Sequence, residues 1–298
     1  MNLTRARMLT LVASSVALAR CGSRAPSVRV GSKNFTESFL IAEIYAQALE
    51  AAGLRVERRF NLGSTQIAMA AIARGDIDLY PEYTGTALID VLHRKPLSDP
   101  REVYAVVSDA FKQRYGLVWL TPSPMNDSQA LATTQAIAQR ERLSTLSDLA
   151  SKASHLRLAT IQEFLSRADG LPGLQRAYGG FRFAQVRTYD IALKYRALLS
   201  GKADVASAFT TDGAIATDRL VVLRDDRHLW PPYNVAPVVR QAALEAHPQI
   251  ASVLDAVSPG ITDARAQSMN AAVESGQDPS DVAAAFLAGR KRGHSSTR

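Results

Sequence analysis

Short apolar runs alternate with helical patterns twice over along this chain, and that alternation restricts the fold to α/β layers. The first series opens with a strand at Val28-Arg-Val30. A helix is expected over 36–52, with Ile41, Ile44, Tyr45, Ala48 and Ala52 on one face and Gly53 as its stop. Asn34 and Glu37 have the spacing of a capping box at its start. Residues 54–60 alternate like a strand, 64–74 read as a helix ended by Gly75, and Ile77 to Leu79 is the next apolar run. Asp99-Pro100 with Glu102 supplies a cap, an N1 proline and an N3 acid for a helix running to Tyr115. Residues 117–120 form a further strand.

The second series begins near Asn126, with strands at about 129–134, 155–160, 181–187, 203–209 and 220–223. Its clearest helix spans 190–200. One more strand, 234–239, follows Trp230-Pro-Pro232, and helices at 241–257, 262–275 and 279–290 finish the chain. These last helices have no sheet of their own, so they are expected to return to the first half. The spacing thus predicts two lobes, one from 28–125 with 231–298 and one from 126–230. Pro122, Pro124, Pro231 and Pro232 stiffen the two crossings. A length of 298 residues suits about two domains.

The net charge of +7 does not mark a polyanion-binding protein. Arg5, Arg7 and Arg20 lie in a leader without acids, and no basic run with interleaved aromatics occurs in the body, so nucleic acid is not an expected partner. Residues 1–21 read as an export signal, with a positive start, an apolar stretch over 8–18 too short to span a bilayer, and an Ala17-Leu18-Ala19 cleavage pattern. Two mature ends follow. Leu18-Ala19-Arg20-Cys21 resembles a bacterial lipobox, although Arg20 stands where a small residue is usual, so Cys21 is a candidate lipid anchor. Cleavage after Ala19 is the other. A single cysteine gives no internal disulfide and no cysteine-based metal site.

Candidate site residues gather at expected strand ends. Tyr80-Pro-Glu-Tyr-Thr-Gly-Thr86 is placed at a strand-to-helix turn, where side chains and free N–H groups face a ligand. A tyrosine face there attracts a cation. Lys33 and Asn34 lie in the first strand-to-helix loop, either facing the same cleft or solvated. Phe209-Thr-Thr-Asp-Gly213 ends a strand, and Asp212 either contacts a cation or forms an Asx turn. Tyr233, in Trp230-Pro-Pro-Tyr233, is either ligand wall or hinge filling. Arg167 offers a guanidinium fork for a carboxylate or for a surface ion pair. His93, His155, His228, His247 and His294 show no ligand spacing, and G-x-S-x-G, P-loop and G-x-G-x-x-G patterns are absent, so neither a metal nor a cofactor is expected.

Six segments in order resemble the glycine betaine/choline-binding proteins of osmoprotectant ABC importers. They are Val30-Gly-Ser-Lys-Asn-Phe-Thr-Glu37, Asn61-Leu-Gly-Ser-Thr65, Gly75-Asp-Ile-Asp-Leu-Tyr-Pro-Glu-Tyr-Thr-Gly-Thr86, Asp169-Gly-Leu-Pro-Gly-Leu174, Phe209-Thr-Thr-Asp-Gly213 and Pro231-Pro-Tyr233. The resemblance implies a type II periplasmic binding protein fold, with two lobes joined by crossover hinge strands, that closes on a quaternary ammonium solute. It implies an exported, periplasmic monomer that passes the solute to an ABC permease and makes or breaks no bonds. Tyr83 and Tyr233 match positions of an aromatic cage, while Lys33, Thr86 and Arg167 match positions that hold a carboxylate. Two positions depart from the pattern. Gln129 stands where a full cage has tyrosine, and Phe209 keeps a ring but lacks a hydroxyl. Weaker glycine betaine binding, or another solute such as an amino acid, is the consequence. An enzyme using Lys33 and an effector-sensing domain are less consistent with these motifs and the leader.

Overall fold

The computed structural model describes residues 27–191 and 193–295. The leader with Cys21, and both readings of its processing, lie outside the described residues. Ten strands are present among these described residues: β1 (Val28–Gly31), β2 (Val56–Arg59), β3 (Leu79–Tyr83), β4 (Leu117–Trp119), β5 (Gln129–Thr133), β6 (Arg157–Thr160), β7 (Gln185–Thr188), β8 (Val205–Phe209), β9 (Val221–Val222) and β10 (Val235–Arg240). They form two five-stranded sheets, in the orders β2-β1-β3-β10-β4 and β7-β6-β8-β5-β9.

β10 shows how the two halves are joined. It follows the second sheet in sequence yet inserts antiparallel between β3 and β4 of the first. Both its faces are apolar. Val235 and Val239 enter one core with Ile41, Ile44, Leu49 and Leu254, while Ala236 and Val238 enter another with Ile72, Tyr80, Phe111 and Trp119. A strand buried on both sides reads as a continuous apolar run, as Val235 to Val239 does. The helices that follow pack on helix Thr36–Ala51, which touches helices Gln249–Val257, Asp263–Glu274 and Pro279–Ser295. The two crossings run side by side, with an antiparallel bridge between Asn126 and Asn234.

Several local expectations change. Tyr80 to Tyr83 lie in β3, not in a turn, because each pairs with a β10 residue from Val238 back to Val235. That partner lies some 150 residues away in the chain, so the local pattern cannot show it. The turn starts at Thr84, and a wider helical turn over Ala87–Val91 follows. The Asn34–Glu37 capping box is absent. Phe35 is the N-cap and makes no side-chain cap, and Glu37 bonds elsewhere. The single helix expected over 241–257 is two, Gln241–Ala246 and Gln249–Val257, broken at Pro248, which has no N–H to continue the first. The helix expected over 190–200 is confined to Lys194–Leu199.

Candidate functional site

The carboxyl ends of β1 and β3 face the second sheet across a cavity of about 250 Å³. Lys33, Tyr83, Thr86, Gln129, Arg167, Phe209, Asp212 and Tyr233 all line it. Residues spread over two hundred positions are thus brought together, and this is the cleft position that open α/β sheets offer a ligand.

Tyr83 ends β3, buried, with its phenol O–H donating to Glu37 Oε1 at 2.7 Å. The Phe35 ring lies 6.0 Å from it, tilted by 37°. Lys33 Nζ sits 4.8 Å from the Tyr83 ring centroid and 5.6 Å from that of Phe35. Its charge is already matched, because Nζ donates to Glu82 Oε1 at 2.7 Å. Glu82 is fully buried and also accepts from the Tyr80 hydroxyl at 2.9 Å and the Tyr83 N–H at 2.7 Å. Alternation along β3 puts Tyr80 and Glu82 on one face and Tyr83 on the other.

Arg167 is likewise matched. Its fork meets both Asp169 oxygens at 2.8 and 2.7 Å, and Asp90 lies 3.4 Å from Nη1. Asp169 also accepts the Tyr233 hydroxyl, and its backbone oxygen accepts Trp230 Nε1 at 2.7 Å. Burial pushes the Asp169 carboxyl up, but the Arg167 fork and the Tyr233 hydroxyl outweigh it and hold it below the usual carboxylate range. Tyr233 is fixed at its backbone by Asn126 Oδ1 at 2.6 Å. Its ring lies so close to Gly85 that a Cβ there would come within 2.5 Å of it, which explains the glycine in Tyr83-Thr-Gly-Thr86. Burial, with neighbouring carboxylates, pushes the Tyr83 phenol well up, so it stays neutral. Burial and Asp169 do the same to Tyr233.

On the second sheet, Phe209 and Gln129 pair directly across β8 and β5. Lys194 Nζ stands 5.1 Å from the Phe209 centroid and 3.1 Å from Asp212. Asp212 forms no Asx turn. Its carboxylate reaches back to the Phe209 N–H at 3.0 Å and accepts the Tyr195 hydroxyl.

The sequence reading missed Glu37, Glu82, Asp127, Asp169, Lys194, Asn270 and Glu274. Glu82 and Asp169 sit inside quoted motifs, and their alternation with tyrosine and proximity to Arg167 were usable signals. Asn270 and Glu274 carry none, since their helix joins the site only through tertiary packing. Asn270 Nδ2 donates to Glu37 Oε2 at 2.8 Å and to the Thr211 carbonyl at 2.9 Å.

Residues 26–289 match the family model described as the substrate binding domain of ABC-type glycine betaine transport systems. The chain belongs to this family. Its relatives include the glycine betaine-binding protein YehZ of Escherichia coli K12, 33% identical over 276 residues, or 88% of this chain and 90% of YehZ. A glycine-betaine-binding protein of Pseudomonas aeruginosa is 36% identical over 277 residues, or 89% of this chain and 88% of its own. A crystal structure of a glycine betaine/carnitine/choline ABC transporter superposes with a TM-score of 0.76 at 30% identity, covering 89% of this chain and 99% of that one. The fold is therefore the type II periplasmic binding protein fold, with two lobes about a cleft. As a member of the glycine betaine transport family, the chain is a substrate-binding protein that works with a permease, and not an enzyme. No helix among the described residues is long and apolar enough to cross a membrane.

Proposed function

We propose that the cavity captures a quaternary ammonium solute, with Tyr83, Phe35, Phe209 and Tyr233 as the walls around its cation. The observation that carries this reading is the state of the rings. Each tyrosine hydroxyl is committed to a carboxylate, Tyr83 to Glu37 and Tyr233 to Asp169. A phenol hydrogen-bonded to an anion keeps its O–H occupied and its face electron-rich, which suits a ligand that cannot donate a hydrogen bond. Lysine ammoniums already stand within cation–π range of Tyr83, Phe35 and Phe209. Each such contact contributes about 0.5–2 kcal/mol. Tyr83 and Phe209 come from different sheets, so a ligand touching both favours closure of the lobes.

An amino acid suits the site less well. Its ammonium needs hydrogen-bond acceptors around it, whereas Tyr83 and Phe35 present ring faces and the Tyr83 and Tyr233 hydroxyls are committed to Glu37 and Asp169. In this reading the protein acts as a monomer outside the cytoplasmic membrane. It is either free after cleavage behind Ala19 or tethered through Cys21, and the mass of the mature N-terminus separates the two.

Gln129 leaves one wall without a π face. Gln129→Tyr is expected to tighten glycine betaine and choline binding about three- to tenfold, the worth of one added cation–π contact. Calorimetric titration of both proteins with glycine betaine, choline, carnitine, proline betaine and arginine checks this. Heat with arginine alone would overturn the reading, and an unchanged dissociation constant in Gln129→Tyr would remove the missing-wall explanation.

A further inference from the structure

Tyr83-Thr84 and Phe209-Thr210 each place a threonine directly after a cage ring, one at the end of β3 and one at the end of β8. The two threonines make the same set of hydrogen bonds, one set in each lobe. The Thr84 N–H donates to the Asn234 carbonyl at 3.0 Å, and its hydroxyl donates to the Pro232 carbonyl at 3.1 Å and accepts the Asn234 N–H at 3.0 Å. The Thr210 N–H donates to the Ser128 carbonyl at 2.9 Å, and its hydroxyl donates to the Asn126 carbonyl at 2.8 Å and accepts the Ser128 N–H at 2.9 Å. Each threonine thus grips one crossing at two residues, where that crossing enters the threonine's own lobe.

The two crossings are also tied to each other. Asn126 Oδ1 accepts the Tyr233 N–H at 2.6 Å, and Asn234 Nδ2 donates to the Ser123 and Met125 carbonyls at 3.2 and 3.0 Å. Tyr233, the third ring, stands between the two residues that Thr84 holds. A continuous chain of bonded residues therefore runs from Tyr83 through Thr84, Tyr233, Asn126 and Thr210 to Phe209. It joins rings of both lobes through the hinge. Valine would keep the branched shape that suits a strand end, so the grip on the crossings is what the two hydroxyls add.

Resting on the quaternary ammonium reading above, we infer that Thr84 and Thr210 are a matched pair of positioning residues that set the span between Tyr83 and Phe209 through the hinge. Neither lines the cavity, so neither acts by touching the solute. Each holds its crossing at the residue next to a ring, so rotation of a lobe about the crossings carries that ring by a fixed amount. The closed lobes then present their rings within cation–π range, about 6 Å of one cation. Fixing the span in advance raises affinity, because less has to be ordered when the solute arrives.

A single span has a distinctive consequence. Breaking the chain at either threonine frees the same distance, so a second break has little left to free. The two residues then behave as members of one network, although neither bonds to the other. Independent sites would multiply their effects instead.

Calorimetric titration of the mature protein with choline and tetramethylammonium, as Thr84→Val, as Thr210→Val and as the double variant, tests this. Tetramethylammonium is the head alone, so a change of span acts on it as on choline. Each single substitution is expected to weaken both compounds about tenfold, and the double variant by about thirtyfold at most, well short of a hundredfold. Thr84→Ser and Thr210→Ser keep the hydroxyl and are expected to stay within about twofold of the unaltered protein. Multiplying losses in the double variant, a loss confined to choline, or serine variants as weak as the valine ones overturn the inference. Should one valine variant not fold, the other and its serine counterpart decide by the same criteria. If neither compound binds the unaltered protein, the quaternary ammonium reading fails, and urea unfolding of the same proteins then tests the pair alone. A midpoint shift in the double variant below the sum of the single shifts supports it, and additive shifts overturn it.

Discussion

Glu82→Ala is expected to lower the melting temperature by about 10 °C and to abolish measurable capture of quaternary ammonium solutes. Glu82 is fully buried and accepts from three donors: Lys33 Nζ, the Tyr80 hydroxyl and the Tyr83 N–H. Removing one partner of a buried ion pair costs about 3–5 kcal/mol, because the remaining charge is left uncompensated. In a chain of this size each kcal/mol moves the midpoint by about 2–4 °C. The effect on binding follows from where Lys33 sits. Its ammonium is 4.8 Å from the Tyr83 centroid, and without Glu82 it is an uncompensated cation on the face meant for the solute. Lys33→Met with Glu82→Leu is expected to recover much of the stability, since removing both charges leaves none buried alone. Scanning calorimetry of the three proteins decides. A loss under about 1 kcal/mol in Glu82→Ala would show that Lys33 is solvated, which its burial contradicts.

Asp169→Ala is expected to have nearly as large an effect, with a different signature. Asp169 gathers the Arg167 fork, the Tyr233 hydroxyl and, through its carbonyl, the Trp230 indole. Its loss leaves Arg167 with only the longer 3.4 Å contact to Asp90 and frees the Tyr233 ring to turn, at about 3 kcal/mol in stability. Choline affinity is expected to fall by about tenfold to a hundredfold as one cage wall loosens. Glycine betaine is expected to lose less, because the freed guanidinium now offers its fork to the solute carboxylate. Parallel titrations with both solutes read this out, and equal losses would contradict the assignment of Asp169 as the group that occupies Arg167.

Much of the element order was legible from local periodicity, although helices 241–257 and 190–200 were read too long. Helix Pro100–Tyr115 starts at the Asp99 cap, whose side chain accepts from Arg101 and Glu102, as its residues suggest. The return of Val235–Arg240 to the first sheet was legible for a different reason. Three helices without a sheet need an apolar face to cover. Other features were hidden because they are set by distant partners. Lys33 looked like a free loop cation, but its partner Glu82 lies 49 residues on. Glu37 looked like a cap, but Asn270, 233 residues away, and Tyr83 draw it into the wall. Tyr80 to Tyr83 looked like a turn until β10 paired with them. Motif residues such as Tyr83, Phe209 and Tyr233 were recognisable by type, whereas the carboxylates that hold them were not, since an acid in a helical pattern usually marks a solvated face.

In the proposed cage, positive charge in the solute head, and not its shape alone, is what the rings hold. Titrating the protein with choline and with 3,3-dimethylbutan-1-ol, its uncharged carbon isostere, tests this directly. Choline is expected to bind at least about a hundredfold more tightly, the sum of three or so ring contacts. Equal affinities, or binding of the alcohol alone, would contradict cation capture by Tyr83, Phe35, Phe209 and Tyr233.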